Sequence, residues 1–416
     1  MRICKKSSKF ALDFGNVYTM KRFLYLIIGI FITTAAQASS LARGADISWC
    51  TEMEADGRKF YNAAGTETDI FVLMREIGMT AIRLRVWVNP SQYGYGAWCD
   101  SADVINKAKR AHAQGLDLMI DFHYSDFFAD PSRQAIPLDW QNLSMESLQT
   151  AMATHTRNLL QALKDEGIAP KWVQVGNETN NGMLDPLGKI EWSKSGAARF
   201  SNYVALSNAG YDAVKQVFPE TTVIIHLGAA DLPQWFFGDF IAAGGKVDMI
   251  GVSHYPTAAE WNSTASDATH SNINAARWIA QAAQQFGKPV MVCETGFEVS
   301  KPALADQVMQ DLFTRTEAIP QCTGIFYWEP EVDGVWKPTF YSSLGWNAYG
   351  LGAFANGKPT AALNAFSGQP QGVEEIPITH HKSQIKYNLL GQPVGDDYKG
   401  IVIQNGKKVR GLVAVW

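Results

Sequence analysis

The run Ala81-Ile82-Arg83-Leu84-Arg85-Val86-Trp87-Val88, the amphipathic stretch Ser101 to Gln114 and the run Leu116-Asp117-Leu118-Met119-Ile120-Asp121-Phe122-His123-Tyr124 follow one another along the chain. The first and third are short, apolar and strand-like, while the middle one carries its apolar residues at helical spacing. A helix between two strands implies parallel strands joined by a crossover. The same alternation extends in both directions. Strands are expected at Gly44 to Trp49, Ala81 to Val88, Leu116 to Tyr124, Lys171 to Glu178, Thr222 to Gly228, Met249 to Tyr255, Pro289 to Thr295 and Gly324 to Glu329. Helical stretches between them include Thr68 to Ile77, Ser101 to Gln114, Met145 to Asp165, Ser195 to Phe218 and Leu304 to Ala318, with Gly or Pro near several ends. Eight such units fit a closed (β/α)8 TIM barrel better than an open doubly wound sheet, whose G-x-G-x-x-G phosphate loop does not follow the first strand. The chemistry of such a barrel sits at the C-terminal ends of its strands.

Around this unit the chain has 416 residues, long for one domain, so one large domain with appendages is expected. Hydrophobic residues at 46% supply a core and exclude disorder across the whole chain. Lys+Arg 36 against Asp+Glu 40 gives a net charge of -4, which offers no electrostatic footprint for nucleic acid or an anionic membrane. A neutral partner is favoured. Aromatics at 12%, with 13 Trp, either fill the core or stack on flat apolar faces such as those of sugars.

Three segments follow from composition. Residues 1–38 read as a leader and secretory signal peptide: Lys21-Arg22, the apolar run Phe23 to Phe31 and the small residues ending Ala36-Gln37-Ala38, with Met20 the preferred start. The apolar run is too short for a transmembrane segment. Residues 39–367 hold the barrel, and residues 368–416 hold a linker, Gly368 to Pro377, and a small C-terminal β appendage. Export permits disulfides, and Cys50 and Cys99, both in loops at one end of the fold, either bridge or stay as packed thiols with Cys293 and Cys322.

Two strand ends carry carboxylates: Gly176-Asn177-Glu178 on the fourth and Cys293-Glu294 on the seventh. In a barrel these face each other across one mouth. Paired carboxylates are the minimum machinery for glycoside hydrolysis, one protonated to donate to the leaving oxygen and one ionised to attack or to activate water. Burial and a like charge keep one neutral, while donors and a cation hold the other ionised. Arg83 could supply that cation. A single Glu at a strand end is more often an ordinary salt bridge; two on an eight-strand pattern reverse the odds. His123 and His254 raise a metal hydrolase as a lesser alternative, but the first strand reads Asp46-Ile47-Ser48 and lacks an H-x-H. His226 reads as a core or rim histidine, or a contact for substrate.

Taken in order, Gly44-Ala45-Asp46-Ile47-Ser48, Arg83-Leu84-Arg85-Val86-Trp87-Val88-Asn89-Pro90, Asp121-Phe122-His123-Tyr124-Ser125-Asp126, Val175-Gly176-Asn177-Glu178, Gly251-Val252-Ser253-His254-Tyr255-Pro256, Glu294-Thr295 and Phe326-Tyr327-Trp328-Glu329-Pro330 resemble the endo-β-1,4-galactanases of glycoside hydrolase family 53, from about Arg43 to Phe366. The resemblance implies a retaining endo-hydrolase of β-1,4-galactan, the galactose side chains of pectin. It implies Glu178 as general acid/base and Glu294 as nucleophile. Asn177 would bind the sugar 2-hydroxyl, Arg83 and Tyr255 would hold Glu294 ionised, and His123 and Trp328 would shape the subsite at the bond to be cut. Asp46, Trp87, Asp126 and His254 are further substrate contacts. The family often places Trp where this chain has Phe128. Some relatives hold a structural calcium after the eighth strand, where Glu331, Asp333 and Asn347 offer oxygens without the spacing of a known loop; no cofactor is required and calcium stays open. The tail around Tyr387-Asn388-Leu389-Leu390-Gly391-Gln392 is similar to short C-terminal tails of many secreted bacterial proteins, which implies sorting. The expectation is a secreted monomer with a polysaccharide substrate, extracellular, at the cell surface or in the periplasm. Rival readings are a mannanase or xylanase on the same barrel and a non-catalytic surface glycan-binding protein.

Overall fold

The computed structural model describes residues 41–367 apart from residue 95, together with the backbone of 386–388, 393–394, 401–404 and 407–410. The segments expected to be a leader, a signal peptide and a linker lie outside the described residues, as do Ser39, Ser40 and the residues flanking the tail strands. Eight parallel strands close into a barrel: β1 (Ala42–Asp46), β2 (Ala81–Val86), β3 (Asp117–Phe122), β4 (Trp172–Val175), β5 (Thr222–Leu227), β6 (Met249–Ser253), β7 (Val290–Thr295) and β8 (Cys322–Trp328), with β8 pairing back onto β1. Helices follow each of the first seven: α1 (Ile70–Ile77), α2 (Ser101–Ala113), α3 (Met145–Asp165), α4 (Ser201–Val217), α5 (Pro233–Ala242), α6 (Asn272–Phe286) and α7 (Pro302–Glu317). After β8 the outer element is a 3-10 segment, Ala361–Ser367, in place of an eighth long helix. It packs so closely on the end of α1 that a Cβ on Gly78, at φ 111, would meet the Ser367 backbone at 2.6 Å.

The sequence pattern explains the layers. In β2, Ile82, Leu84 and Val86 point outward into the core shared with the helices, and Ala81, Arg83 and Arg85 alternate with them toward the barrel axis. The lower barrel interior is apolar, filled by Ala42, Ala81, Met119, Trp172, Ile224, Met249, Met291, Cys293 and Phe326. Gly44 is required in β1 because a Cβ there would stand 2.2 Å from the Phe326 ring. One layer higher the inward residues become polar, and this change marks the functional end.

Several strands end earlier than the sequence predicts. β4 stops at Val175 instead of Glu178, because Gly176 (φ 88) and Glu178 (φ 47) leave the extended region. Of the two alternatives for Cys50 and Cys99, a bridge or packed thiols, the structure has the packed thiols. Both thiols are free and buried; Cys99 lies 3.8 Å from Lys107 Nζ and donates to the Ser48 carbonyl at 3.6 Å, and Cys293 and Cys322 are also free. The chain divides into two compact units, Met1–Gln369 and Pro370–Trp416. In the second, four antiparallel strands lie in the order Pro393–Val394, Lys386–Asn388, Ile401–Gln404, Lys407–Arg410.

Candidate active site

The polar upper layer is organised by one arginine. Arg83, fully buried on β2, donates from Nη1 to Asp46 Oδ2 (2.8 Å), from Nε to Gln174 Oε1 (2.8 Å) and from Nη2 to Asp121 Oδ2 (2.8 Å) and Asn177 Oδ1 (2.9 Å). Its Nη2 also lies 2.8 Å from Glu294 Oε1. Five neighbours therefore surround one guanidinium, and three are carboxyl groups. Burial works against the charge on Asp121, but Arg83, together with His123, holds its carboxyl below the usual range.

Above this layer lies a cavity of about 360 Å³ at the C-terminal mouth of the barrel. It is lined by His123, Asn177, Glu178, Tyr255, Glu294 and Trp328, all expected from the sequence, and by Phe128, Ala129, Asp130, Tyr341, Trp346, Tyr349 and Leu351. Glu294 reaches it through an irregularity in the β6/β7 ladder: Val252 pairs with Val292, but Ser253 pairs with Glu294, so β7 carries one extra residue there. Such a bulge re-aims a side chain. Glu294 Oε2 accepts from the Tyr255 hydroxyl at 2.9 Å. Glu178 enters from the turn after β4, and its Oε1 lies 2.5 Å from Ser253 Oγ. Ser253 is thus bonded to one carboxyl and strand-paired with the other, which places both in one pocket.

Their electrostatics differ. Burial, then the nearby Glu294, pushes the Glu178 carboxyl up to about 8. Burial raises Glu294 as well, but Arg83 and the Tyr255 hydroxyl oppose it. With a permanent cation in contact with Glu294 and none bonded to Glu178, a shared proton belongs on Glu178.

Four of the expected substrate contacts, Asp46, Trp87, Asp126 and His254, stand elsewhere, and Arg83 meets Glu294 as expected without lining the cavity itself. Arg83 and Asp46 lie beneath the cavity; Asp46 is paired to Arg83, and its Oδ1 accepts from the Ser48 amide and hydroxyl. Trp87 is buried, stacked on Phe127 with ring centroids 5.8 Å apart and edge-on to Trp49 and Phe128. Asp126 clamps loops, accepting from the Asn89 amide (2.8 Å) and the Leu138 amide (2.9 Å). His254 faces outward to α6, its Nε2 2.9 Å from Asn272 Oδ1, and burial pushes its pKa down to about 4. The reason is alternation: Ser253 and Tyr255 point inward, so His254 between them cannot.

His123 keeps its ring at the cavity wall, with Nδ1 accepting from the Ala129 amide (2.9 Å) and Nε2 2.9 Å from Asp121 Oδ2. Phe128 lies in the cavity wall, its ring 6.0 Å from that of Trp328. The chain after β8 supplies Tyr341, on a single helical turn at Thr339–Ser343, and Trp346, Tyr349 and Leu351 on irregular backbone, and no periodicity flags them because neither segment is long enough to show one. Among the described residues no group of three or more His, Cys, Asp or Glu side chains is placed to hold a metal ion. Asp333 instead pairs with Arg58 and accepts from the Val335 and Trp336 amides.

A closed eight-strand barrel with two carboxyls of opposite polarity at its C-terminal mouth is the architecture of a barrel glycoside hydrolase. The family model for glycosyl hydrolase family 53 matches residues 42–366, and the chain belongs to that family. It is 30% identical over 344 residues to an endo-β-1,4-galactanase of Bacillus subtilis (strain 168), covering 74% of this chain and 75% of that protein. It is 29% identical over 333 residues to an arabinogalactan endo-β-1,4-galactanase of Cellvibrio japonicus, covering 73% and 84%. Among solved structures, a fungal β-1,4-galactanase superposes with a TM-score of 0.65 at 26% identity, covering 78% of this chain and 98% of that one. The family 53 catalytic domain of Ignisphaera aggregans gives 0.67 at 29%, covering 80% and 97%.

Proposed function

We propose that this chain is an endo-acting β-1,4-galactanase that works by retaining double displacement, with Glu178 as acid/base and Glu294 as nucleophile. The observation that carries the reading is the polarised pair: Glu294 ion-paired with Arg83 and hydrogen-bonded by the Tyr255 hydroxyl, and Glu178, with no cation on its carboxyl among the described residues, raised by burial and by Glu294. A Glu294 oxygen attacks the anomeric carbon while Glu178 passes its proton to the departing glycosidic oxygen. Water, deprotonated by Glu178, then attacks the glycosyl-enzyme from the same face, and Glu294 leaves. Asn177 spends one amide N–H on the Ala129 carbonyl (2.8 Å) and keeps the other for the sugar 2-hydroxyl. His123 and Trp328 wall the reacting sugar. The two carboxyls do this chemistry without a cofactor. Galactan is favoured over mannan or xylan by the named activities of the family relatives. Residues 21–38 fit export to the periplasm, cell surface or medium, where a monomer would meet pectin.

The test is digestion of galactan beside mannan and xylan by the wild type, Glu178→Ala and Glu294→Ala. Expected are galactan-specific release of internal fragments, initial β-anomer by proton NMR, and loss of galactan hydrolysis in both variants. Glu178→Ala alone should retain turnover on an aryl β-galacto-oligoside whose leaving group needs no proton. Initial α-anomer, or full activity in either variant on galactan, would sink the mechanism.

A further inference from the structure

Hydrogen-bond polarity runs from Arg83 to Glu178 through three intervening side chains. Arg83 can only donate, and its Nη2 donates to Asn177 Oδ1. The Ala129 carbonyl can only accept, and it takes the Asn177 Nδ2 proton. These two contacts fix which end of the Asn177 amide is oxygen. His226 Nδ1 stands 2.9 Å from that oxygen and 3.4 Å from the Glu178 amide nitrogen; only one of these contacts can be a hydrogen bond, and the shorter one requires a proton on Nδ1, because the other tautomer would set two lone pairs against each other at 2.9 Å. His226 is fully buried, and burial followed by the charge of Arg83 drives its pKa well below the usual value, so the ring holds one proton only. Its Nε2 is therefore an acceptor. Ser253 Oγ lies 3.1 Å from Nε2 and has a single proton to give.

With that proton committed to His226, Ser253 offers only a lone pair to Glu178 Oε1 at 2.5 Å. We propose that Ser253 and His226 are positioning residues that select the protonated form of Glu178, the polarity being imposed by Arg83 through Asn177. The inference rests on Glu178 being the acid/base of the reaction. Other charged or titratable groups facing Glu178 are Glu294 from β7, Arg83 from β2, Asp130 and His123 after β3, and Tyr255 after β6. None of them bonds its carboxyl directly. When Glu178 has given its proton to the leaving oxygen, Ser253 can turn its hydroxyl to the carboxylate only by leaving Nε2 without a donor. That arrangement favours return of a proton to Glu178, the direction required when water attacks.

The sign of one shift tests the chain. If Ser253 accepts from Glu178, Ser253→Ala removes a partner of the protonated form, and the basic limb of kcat/KM on galactan moves down by about half a unit to one unit. If Ser253 instead donates to the carboxylate, the same substitution moves that limb up. Ser253→Thr keeps the hydroxyl and should hold the limb at its wild-type position. A second measurement needs no substitution of Ser253: 15N NMR of the histidine-labelled full chain, with His226 assigned by its loss in His226→Gln, should give the Nδ1–H tautomer. An Nε2–H tautomer, or a limb in Ser253→Ala that rises or stays put, overturns the proposal. A basic limb that persists in Glu178→Gln would instead refute the acid/base reading, leaving the tautomer result to decide the polarity by itself.

Discussion

Replacing Arg83 by methionine removes one cation from contact with three buried carboxyl groups, Asp46, Asp121 and Glu294, takes the Arg83 donor from Gln174 Oε1, and leaves Asn177 Oδ1 with His226 alone. Breaking a buried ion pair from one side costs about 3–5 kcal/mol. With an unfolding entropy of ~2.1 cal/mol/K per residue over the ~325-residue barrel, that loss lowers Tm by about 4–7 °C. The activity effect has a separate signature. An opposite charge in contact lowers a carboxyl pKa by about 1–3 units, so losing it moves Glu294 up by that amount. Activity needs Glu294 ionised; the acid limb of kcat/KM therefore shifts to higher pH, and at a pH below the shifted value the rate falls by ~10-fold per unit. The basic limb, set by Glu178, moves less because Arg83 does not bond that carboxyl. Arg83→Lys keeps the charge but lacks the five donors, and should restore part of the acid limb and little of the stability. Calorimetry and pH profiles on galactan read both. An acid limb unchanged in Arg83→Met, with Tm within ~1 °C of wild type, would refute the placing of Arg83 as the partner that keeps Glu294 charged.

Trp328 is half-buried and meets Tyr349 edge-on, ring centroids 4.4 Å apart. Trp328→Ala should lower kcat/KM on galactan at least about tenfold, ~1.4 kcal/mol of transition-state binding, with Tm close to wild type; strong destabilisation with normal activity would make the ring a core element instead. Thiol titration of the unfolded chain without reductant should find Cys50, Cys99, Cys293 and Cys322 all reactive, and two of them unreactive would restore the bridge. A chain ending at Ser367 should keep full specific activity, since every residue lining the cavity precedes Gly352; loss of activity would give the tail a role in the barrel.

The eight strands were legible because each is a short apolar run bounded by turns, and the two glutamates because they close the fourth and seventh runs. Period-two alternation even sorts β2, with Arg83 inward and Leu84 outward. What a linear pattern could not decide is which polar residue beyond a strand end faces the cavity. His254 and Tyr255 are neighbours in sequence, yet one pairs with Asn272 on α6 and the other with Glu294. Asp126 and Asp130 lie in one loop, yet only Asp130 lines the pocket. Ser253 carries no signal as a serine; it matters because a one-residue irregularity between β6 and β7 sets it opposite Glu294 while the turn after β4 brings Glu178 to its hydroxyl. Those contacts join side chains on or just beyond β4, β6 and β7 and on α6, and their geometry depends on barrel closure, strand register and the direction of buried hydrogen bonds, none of which is a property of any local stretch of chain.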